Sequence, residues 1–223
     1  MSFEIIYIMD YIGTIAFAIS GAMVAIEQEM DLFGIMILAL VTATGGGFIR
    51  DLTIGTIPPM VFRDPTYMIL SFITAVCVFL IVLWIRRHQN FTSPEKKAKL
   101  SASYQKLLLI TDSLGLAAFT VDGVFAGRRL SAPNDTNAYL VIFLGVITGV
   151  GGGVIRDIFA AQKPYIFVRH IYAVASLAGA AAAAFLPLAI SDRKAQGISF
   201  VLVLLIRYLA AHYKWNLPRI PQS

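Results

Sequence analysis

Seven stretches of mostly apolar residues divide this chain, at 5–26, 32–49, 67–85, 107–126, 138–155, 171–190 and 198–213. The hydrocarbon core of a bilayer is about 30 Å thick, and a helix needs about 20 apolar residues to cross it. Water is absent there, so every backbone N–H and C=O in a spanning segment must be satisfied internally, as a helix does. The second, fifth and seventh stretches are short. Short, glycine-interrupted spans at matching places in two halves point to a transport site.

The composition agrees. The chain is 58% hydrophobic and 14% charged, with mean hydropathy +0.76. Average globular usage is about 45–50% apolar and about 25% charged. The expectation is an all-α integral membrane protein. Cys77 is the only cysteine, which excludes an intramolecular disulfide, and the scattered His88, His170 and His212 give no metal-ligand spacing. No cofactor is expected. The first ten residues contain Glu4 and Asp10 but no lysine or arginine, unlike the basic start of a signal peptide, so the first stretch reads as a retained span.

The excess of basic over acidic residues, 18 against 13, reads as topology rather than as nucleic-acid binding. With seven spans the termini lie on opposite sides. One side would carry Arg86, Arg87, Lys96, Lys97, Lys99, Lys106, Arg156, Lys163, Arg169, Lys214 and Arg219. The other would carry only Arg50, Arg63, Arg128, Arg129, Arg193 and Lys194. Basic residues favour the cytoplasmic side, which predicts an outside N-terminus and a cytoplasmic C-terminus. Arg207 falls inside the last span. Trp84 and Trp215 stand near cytoplasmic span ends, as interfacial aromatics do. The basic stretch 86–106 reads as a cytoplasmic linker able to attract anionic lipid, at about 1 kcal/mol per basic residue near the surface.

The chain repeats itself across that linker. Asp10, Gly13, Phe17 and Gly21 match Asp112, Gly115, Phe119 and Gly123 at an offset of 102. Gly45, Gly46, Gly47, Arg50, Asp51, Pro58 and Arg63 match Gly151, Gly152, Gly153, Arg156, Asp157, Pro164 and Arg169 at an offset of 106. The organisation is therefore a first three-helix repeat at 5–85, the linker at 86–106, a second repeat at 107–190 and an added seventh helix at 198–213. Three spans is an odd number, so the second copy enters the membrane upside down relative to the first.

Glycine within a helix costs about 1 kcal/mol relative to alanine, so three in a row should loosen or break it. Freed backbone groups at membrane depth are tolerated only where protein buries them or water meets them. Two such breaks related by a two-fold axis would outline a polar path for a cation. The competing reading is close helix packing, for which small residues are the usual device.

A triple glycine followed two residues later by Arg-Asp, placed at the end of the second span of each three-span repeat, resembles the trimeric intracellular cation channel family, and its prokaryotic members most closely. The resemblance runs over about 7–213. It implies a homotrimer with one pore through each protomer, lying between the repeats, with the second and fifth helices kinked at Gly45, Gly46, Gly47 and Gly151, Gly152, Gly153. The implied activity is passive permeation of monovalent cations, chiefly potassium. Some bacterial relatives of this repeat have been assigned to glycine transport, which keeps a carrier open.

Charged side chains within spans are expensive and functional by default. Arg50, Asp51, Arg156 and Asp157 fit a gating or structural salt bridge, or mark where a short span meets the interface. Neighbours on a helix do not face each other, so pairing across the two-fold or with another span is expected rather than Arg with the adjacent Asp. Asp10, Asp112 and Asp122 are the other acids placed within spans, with Asp122 matching Ser20, and they fit a vestibule. Thr14, Thr42, Thr44, Thr111, Thr120 and Thr148 offer hydroxyls that bond ions or the helix backbone. No paired nucleophile and base and no nucleotide motif supports an enzyme. Cation channel and small-solute carrier remain, and both need a polar site near the midplane.

Overall fold

The computed structural model describes residues 3–88, 94–130, 137–168 and 171–215. Among them every regular element is helical: α1 (Phe3–Glu27), α2 (Leu32–Thr53), α3 (Met60–Arg63), α4 (Thr66–His88), α5 (Pro94–Leu130), α6 (Ala138–Phe159), α7 (Tyr165–Val168), α8 (Tyr172–Phe185) and α9 (Asp192–His212). Six of these are long and apolar enough to cross a membrane. The sixth apolar stretch is met by α8 and a following 3₁₀ turn, Leu186–Leu188, a shorter piece.

Span lengths differ from expectation. The second, fifth and seventh stretches form helices of 22, 22 and 21 residues, and the shortest is α8 with 14. Capping explains part of this. Asp31 accepts the Gly34 N–H at 2.8 Å at the start of α2, and its mate Asn137 accepts the Leu140 N–H at 3.2 Å at the start of α6. The linker is also shorter than read. Its portion from Pro94 onward is helical and continues into α5, which runs 37 residues without interruption. Residues 89–93, Arg169 and Arg219 lie outside the described residues.

The expected helix breaks are absent. Both α2 and α6 run unbroken through their glycine triplets. The reason is steric. A methyl group at Gly46 would overlap the Thr148 carbonyl oxygen, and one at its mate Gly152 would overlap the Thr42 carbonyl oxygen, the mate of Thr148. The middle glycines let two helix backbones cross in contact, which side chains would prevent. Packing against each other and against α1 and α5 offsets the helix propensity lost at glycine.

Such reciprocal contacts recur throughout the centre. Gly13 abuts Phe119, and Gly115 abuts Phe17. Gly21 lies against Leu38 and Thr42, and Gly123 against Leu144 and Thr148. Thr42 donates to the Leu38 carbonyl, and Thr148 to the Leu144 carbonyl, so both hydroxyls satisfy their own helices. The core is α1, α2, α5 and α6, with α4 on one flank and α8 and α9 on the other. The flanking α4 leaves Ile69, Ile73, Leu80, Ile81 and Trp84 exposed. α9 packs on α8 and α5, so the seventh helix is built into the second half.

Candidate functional site

Two arginine-centred clusters form at the ends of the crossing helices. Arg50 stands in the last turn of α2. Its Nε donates to Asp51 Oδ1 at 2.9 Å, and its Nη1 reaches Asp122 on α5. Arg129 approaches the other oxygen of Asp122 at 3.5 Å. In the second half, Arg156 Nε donates to Asp157 Oδ1 at 2.8 Å, and its Nη1 donates to Asp112 Oδ1 at 2.7 Å and to Ser20. Ser20 is the mate of Asp122, so each arginine reaches across to the same position in the opposite repeat.

The pairing of each arginine with its own neighbouring aspartate departs from expectation. Both helices end within a few residues, and the long guanidinium stem folds around the helix edge onto the next side chain. The aspartates also hold the following loop. Asp51 Oδ2 accepts the Met60 N–H at 2.7 Å, and Asp157 Oδ2 accepts the Tyr165 N–H at 2.8 Å. Pairing across the halves is present as well, through Asp122 and Ser20.

Each cluster meets a cavity. The first, of 230 Å³, is lined by Asp10, Arg50, Asp51, Asp122, Tyr67 and Gly47 among others. Tyr67 Oη lies 3.4 Å from Asp10 Oδ2, and the buried Asp10 Oδ1 has no hydrogen-bond partner. The second cavity, of 240 Å³, is lined by Lys106, Asp112, Tyr165 and Arg207 with Gln105, Leu108, Leu109 and Ala211. Asp112 Oδ2 is buried there without a hydrogen-bond partner, as is the Tyr172 hydroxyl beside Gly153. The cavities open toward opposite ends of α5. Asp112 and Asp122 are ten residues apart on that helix, about 15 Å at 1.5 Å per residue. Phe119, which lines the first cavity, packs against its mate Phe17 with ring centroids 5.3 Å apart and ring planes tilted by 53°.

All thirteen residues singled out from the sequence therefore fall at or between the two cavities or at the α2–α6 crossing. The triplets divide their work. Gly45 and Gly151 sit beside the opposite helix, Gly46 and Gly152 form the crossing, Gly47 lines the first cavity, and Gly153 faces Tyr172 and Asp112. Four participants were missed: Tyr67, Arg129, Tyr172 and Arg207. Arg207 is 2% exposed, lies over the Tyr172 ring at 4.7 Å, and approaches Asp112 Oδ2 at 3.9 Å. An arginine inside an apolar span was itself the signal that could have found it. Among the described residues no three His, Cys, Asp or Glu side chains gather as a metal site.

Residues 7–82 and 109–187 match a family model described as "Glycine transporter". The UPF0126 inner membrane protein YadS of Escherichia coli K12 is 33% identical, over 96% of this chain and 95% of its own length. A solved structure titled as the structural basis for conductance through TRIC cation channels is 35% identical, with TM-score 0.78, covering 97% of each chain. The trimeric intracellular cation channel orthologue from Rhodobacter sphaeroides is 30% identical, with TM-score 0.80, covering 95% of this chain and 99% of its own. These structural relatives are described as channels.

Proposed function

This chain belongs to the bacterial membrane-protein family matched by that model, with the fold of the prokaryotic trimeric intracellular cation channels, and we propose that it conducts monovalent cations passively, potassium in preference, through a pore within each protomer. One observation carries the reading. Two charged cavities lie toward opposite ends of α5, the first lined by Phe119, whose ring packs against Phe17, and the second by Asp112. A conduction path needs two wet vestibules and a constriction that excludes water when closed. The Phe pair and the α2–α6 crossing supply that constriction. The reciprocal contacts of matched residues support an inverted repeat, with its two-fold axis passing between the Phe17 and Phe119 rings.

In this reading Arg50 with Asp51 and Asp122, and Arg156 with Asp157 and Asp112, latch the ends of the two crossing helices to α5. Opening requires the rings to separate while the latches yield or turn with them. Gly47 and Gly153 keep the adjoining walls open. The chain assembles as a homotrimer in the bacterial inner membrane, with the N-terminus outside and the 86–106 stretch cytoplasmic, where its basic residues meet anionic lipid. Potassium or sodium is the permeant ion, and no cofactor takes part.

A second reading, carriage of glycine, draws support from the description of the matching family. It uses the same cavities, opened alternately rather than together. Proteoliposomes with potassium, sodium and glycine gradients separate the two. Single-channel potassium currents without saturable glycine uptake are expected. Saturable glycine uptake in the absence of currents would replace the channel with the carrier.

A further inference from the structure

The two cavities differ in the sign of their charge. Asp10, Asp51 and Asp122 line the first against Arg50 and Arg129, leaving one negative charge in excess. Lys106 and Arg207 line the second against Asp112, leaving one positive charge in excess. Each cavity holds a carboxylate oxygen without a hydrogen-bond partner, Asp10 Oδ1 in the first and Asp112 Oδ2 in the second, and the two differ in the cationic groups around them. Arg50 and Arg129 both turn to Asp122, and Asp51 is shared between Arg50 and the Met60 amide. Asp10 has only the long contact from Tyr67, and its buried Oδ1 has no hydrogen-bond partner. The carboxylate of the second cavity, Asp112, is instead held between Arg156 at 2.7 Å and Arg207 at 3.9 Å. A monovalent cation entering the first cavity meets an unspent carboxylate oxygen. One entering the second meets a surplus of cationic side chains.

We propose that the first cavity is the cation-loading site, with Asp10 as the acceptor, that the second cavity repels the same ion, and that the pathway therefore rectifies. The inference rests on the channel reading and adds to it a direction and a site. Low-dielectric walls lined by one sign of charge raise or lower the local concentration of a small ion. One unit charge about 6 Å away in water changes it about threefold. The asymmetry must also be sensitive to salt, because the screening length falls from about 10 Å at 0.1 M to about 3 Å at 1 M.

The test is single-channel recording of the purified full chain in planar bilayers at 0.1 M and 1 M KCl. Conductances at equal and opposite voltages should differ about threefold at 0.1 M and converge at 1 M. Lys106 is exposed, so Lys106→Glu leaves the fold intact and gives both cavities negative excess; its currents should become nearly symmetric at 0.1 M. Asp10→Asn should lower cation conductance about threefold at 0.1 M and leave it unchanged at 1 M, with trimer content followed by native mass spectrometry. Symmetric wild-type currents at 0.1 M, or an asymmetry that survives either 1 M KCl or Lys106→Glu, would overturn the inference while leaving the channel in place. A wild-type protein that passes no current removes the channel reading and the inference together.

Discussion

Arg50 and Arg156 hold matched positions in the two halves and make matched bonds, yet their surroundings differ. The Arg50 side chain is 13% exposed and faces a cavity. The Arg156 side chain is fully enclosed, with Asp112, Asp157 and Ser20 around its guanidinium and Tyr165 across it at 5.2 Å. The difference comes from what each half adds. The second half brings α9, whose Arg207 closes over Tyr172 and Asp112, and the first half has no counterpart to it. A duplicated motif has thus diverged into an enclosed arginine in one half and one that lines a cavity in the other. Enclosure makes a salt bridge a structural commitment, because removing one partner leaves a buried, uncompensated charge. Access to water leaves the other free to exchange partners.

The largest expected effect tests that division. Arg156→Gln strands Asp112 and Asp157 in the interior and should destabilise the protein by about 3–5 kcal/mol, enough to abolish recovery of folded trimer. Arg50→Gln should yield normal amounts of trimer with altered conductance, since water in the first cavity can solvate its former partners. Size-exclusion yield and flux on the same preparations decide it. Equal loss of trimer in both variants would erase the distinction between the ends.

Next come the middle glycines, where the halves should behave alike. Gly46→Ala and Gly152→Ala push a methyl group into the Thr148 and Thr42 carbonyls, and each should cost about 1–3 kcal/mol through separation of α2 from α6. Gly47→Ala, whose nearest neighbour is the Arg50 guanidinium at 3.7 Å, should keep its stability. Thermal unfolding in detergent ranks the three. Flux lost in the Gly46 variant with no loss of stability would restore a hinge at the triplet.

Smaller changes probe the constriction between the two ends. Phe17→Leu and Phe119→Leu each replace one ring of the tilted pair with a smaller side chain and should raise resting potassium flux several-fold with modest loss of stability. Because the residues are mates, the two variants should leak to similar extents. A leak in one alone would place the constriction off the two-fold axis.

The smallest effect concerns the turns after the crossing helices. Gly55 follows α2 with φ +73°, and its mate Ala161 follows α6 with φ +53°. A side chain in the left-handed region costs about 1–2 kcal/mol, whereas glycine adopts it freely. Ala161→Gly should therefore raise stability by up to about 1 kcal/mol and move the midpoint of thermal unfolding upward without changing flux. An unchanged midpoint would mean that Ala161 is already relaxed by its surroundings.

Much of this was legible in the sequence because it depends on local length and spacing. Apolar runs located the spans, and the two constant offsets identified Phe17 as the counterpart of Phe119 and Arg50 as the counterpart of Arg156. The glycine triplets were located but misread as breaks. Propensity in water favours breakage, whereas the outcome depended on which carbonyl lies opposite each glycine, and that follows from the crossing of helices about a hundred residues apart. The Arg–Asp pairs were misjudged for a related reason, since helix-surface geometry does not describe a long side chain at a helix end. Arg207 was missed because the seventh helix has no mate in the first half, and Tyr172 because its contact with Arg207 exists only once α9 has folded onto α8 and α5.

That uninterrupted α5 has a mechanical consequence. It carries Asp112, which holds Arg156, and Asp122, which holds Arg50, on one rigid rod. A piston stroke or a roll of α5 would strain both latches in the same instant, since no joint lies between them to absorb the movement. The two latches of such a protein would be ganged on a common shaft.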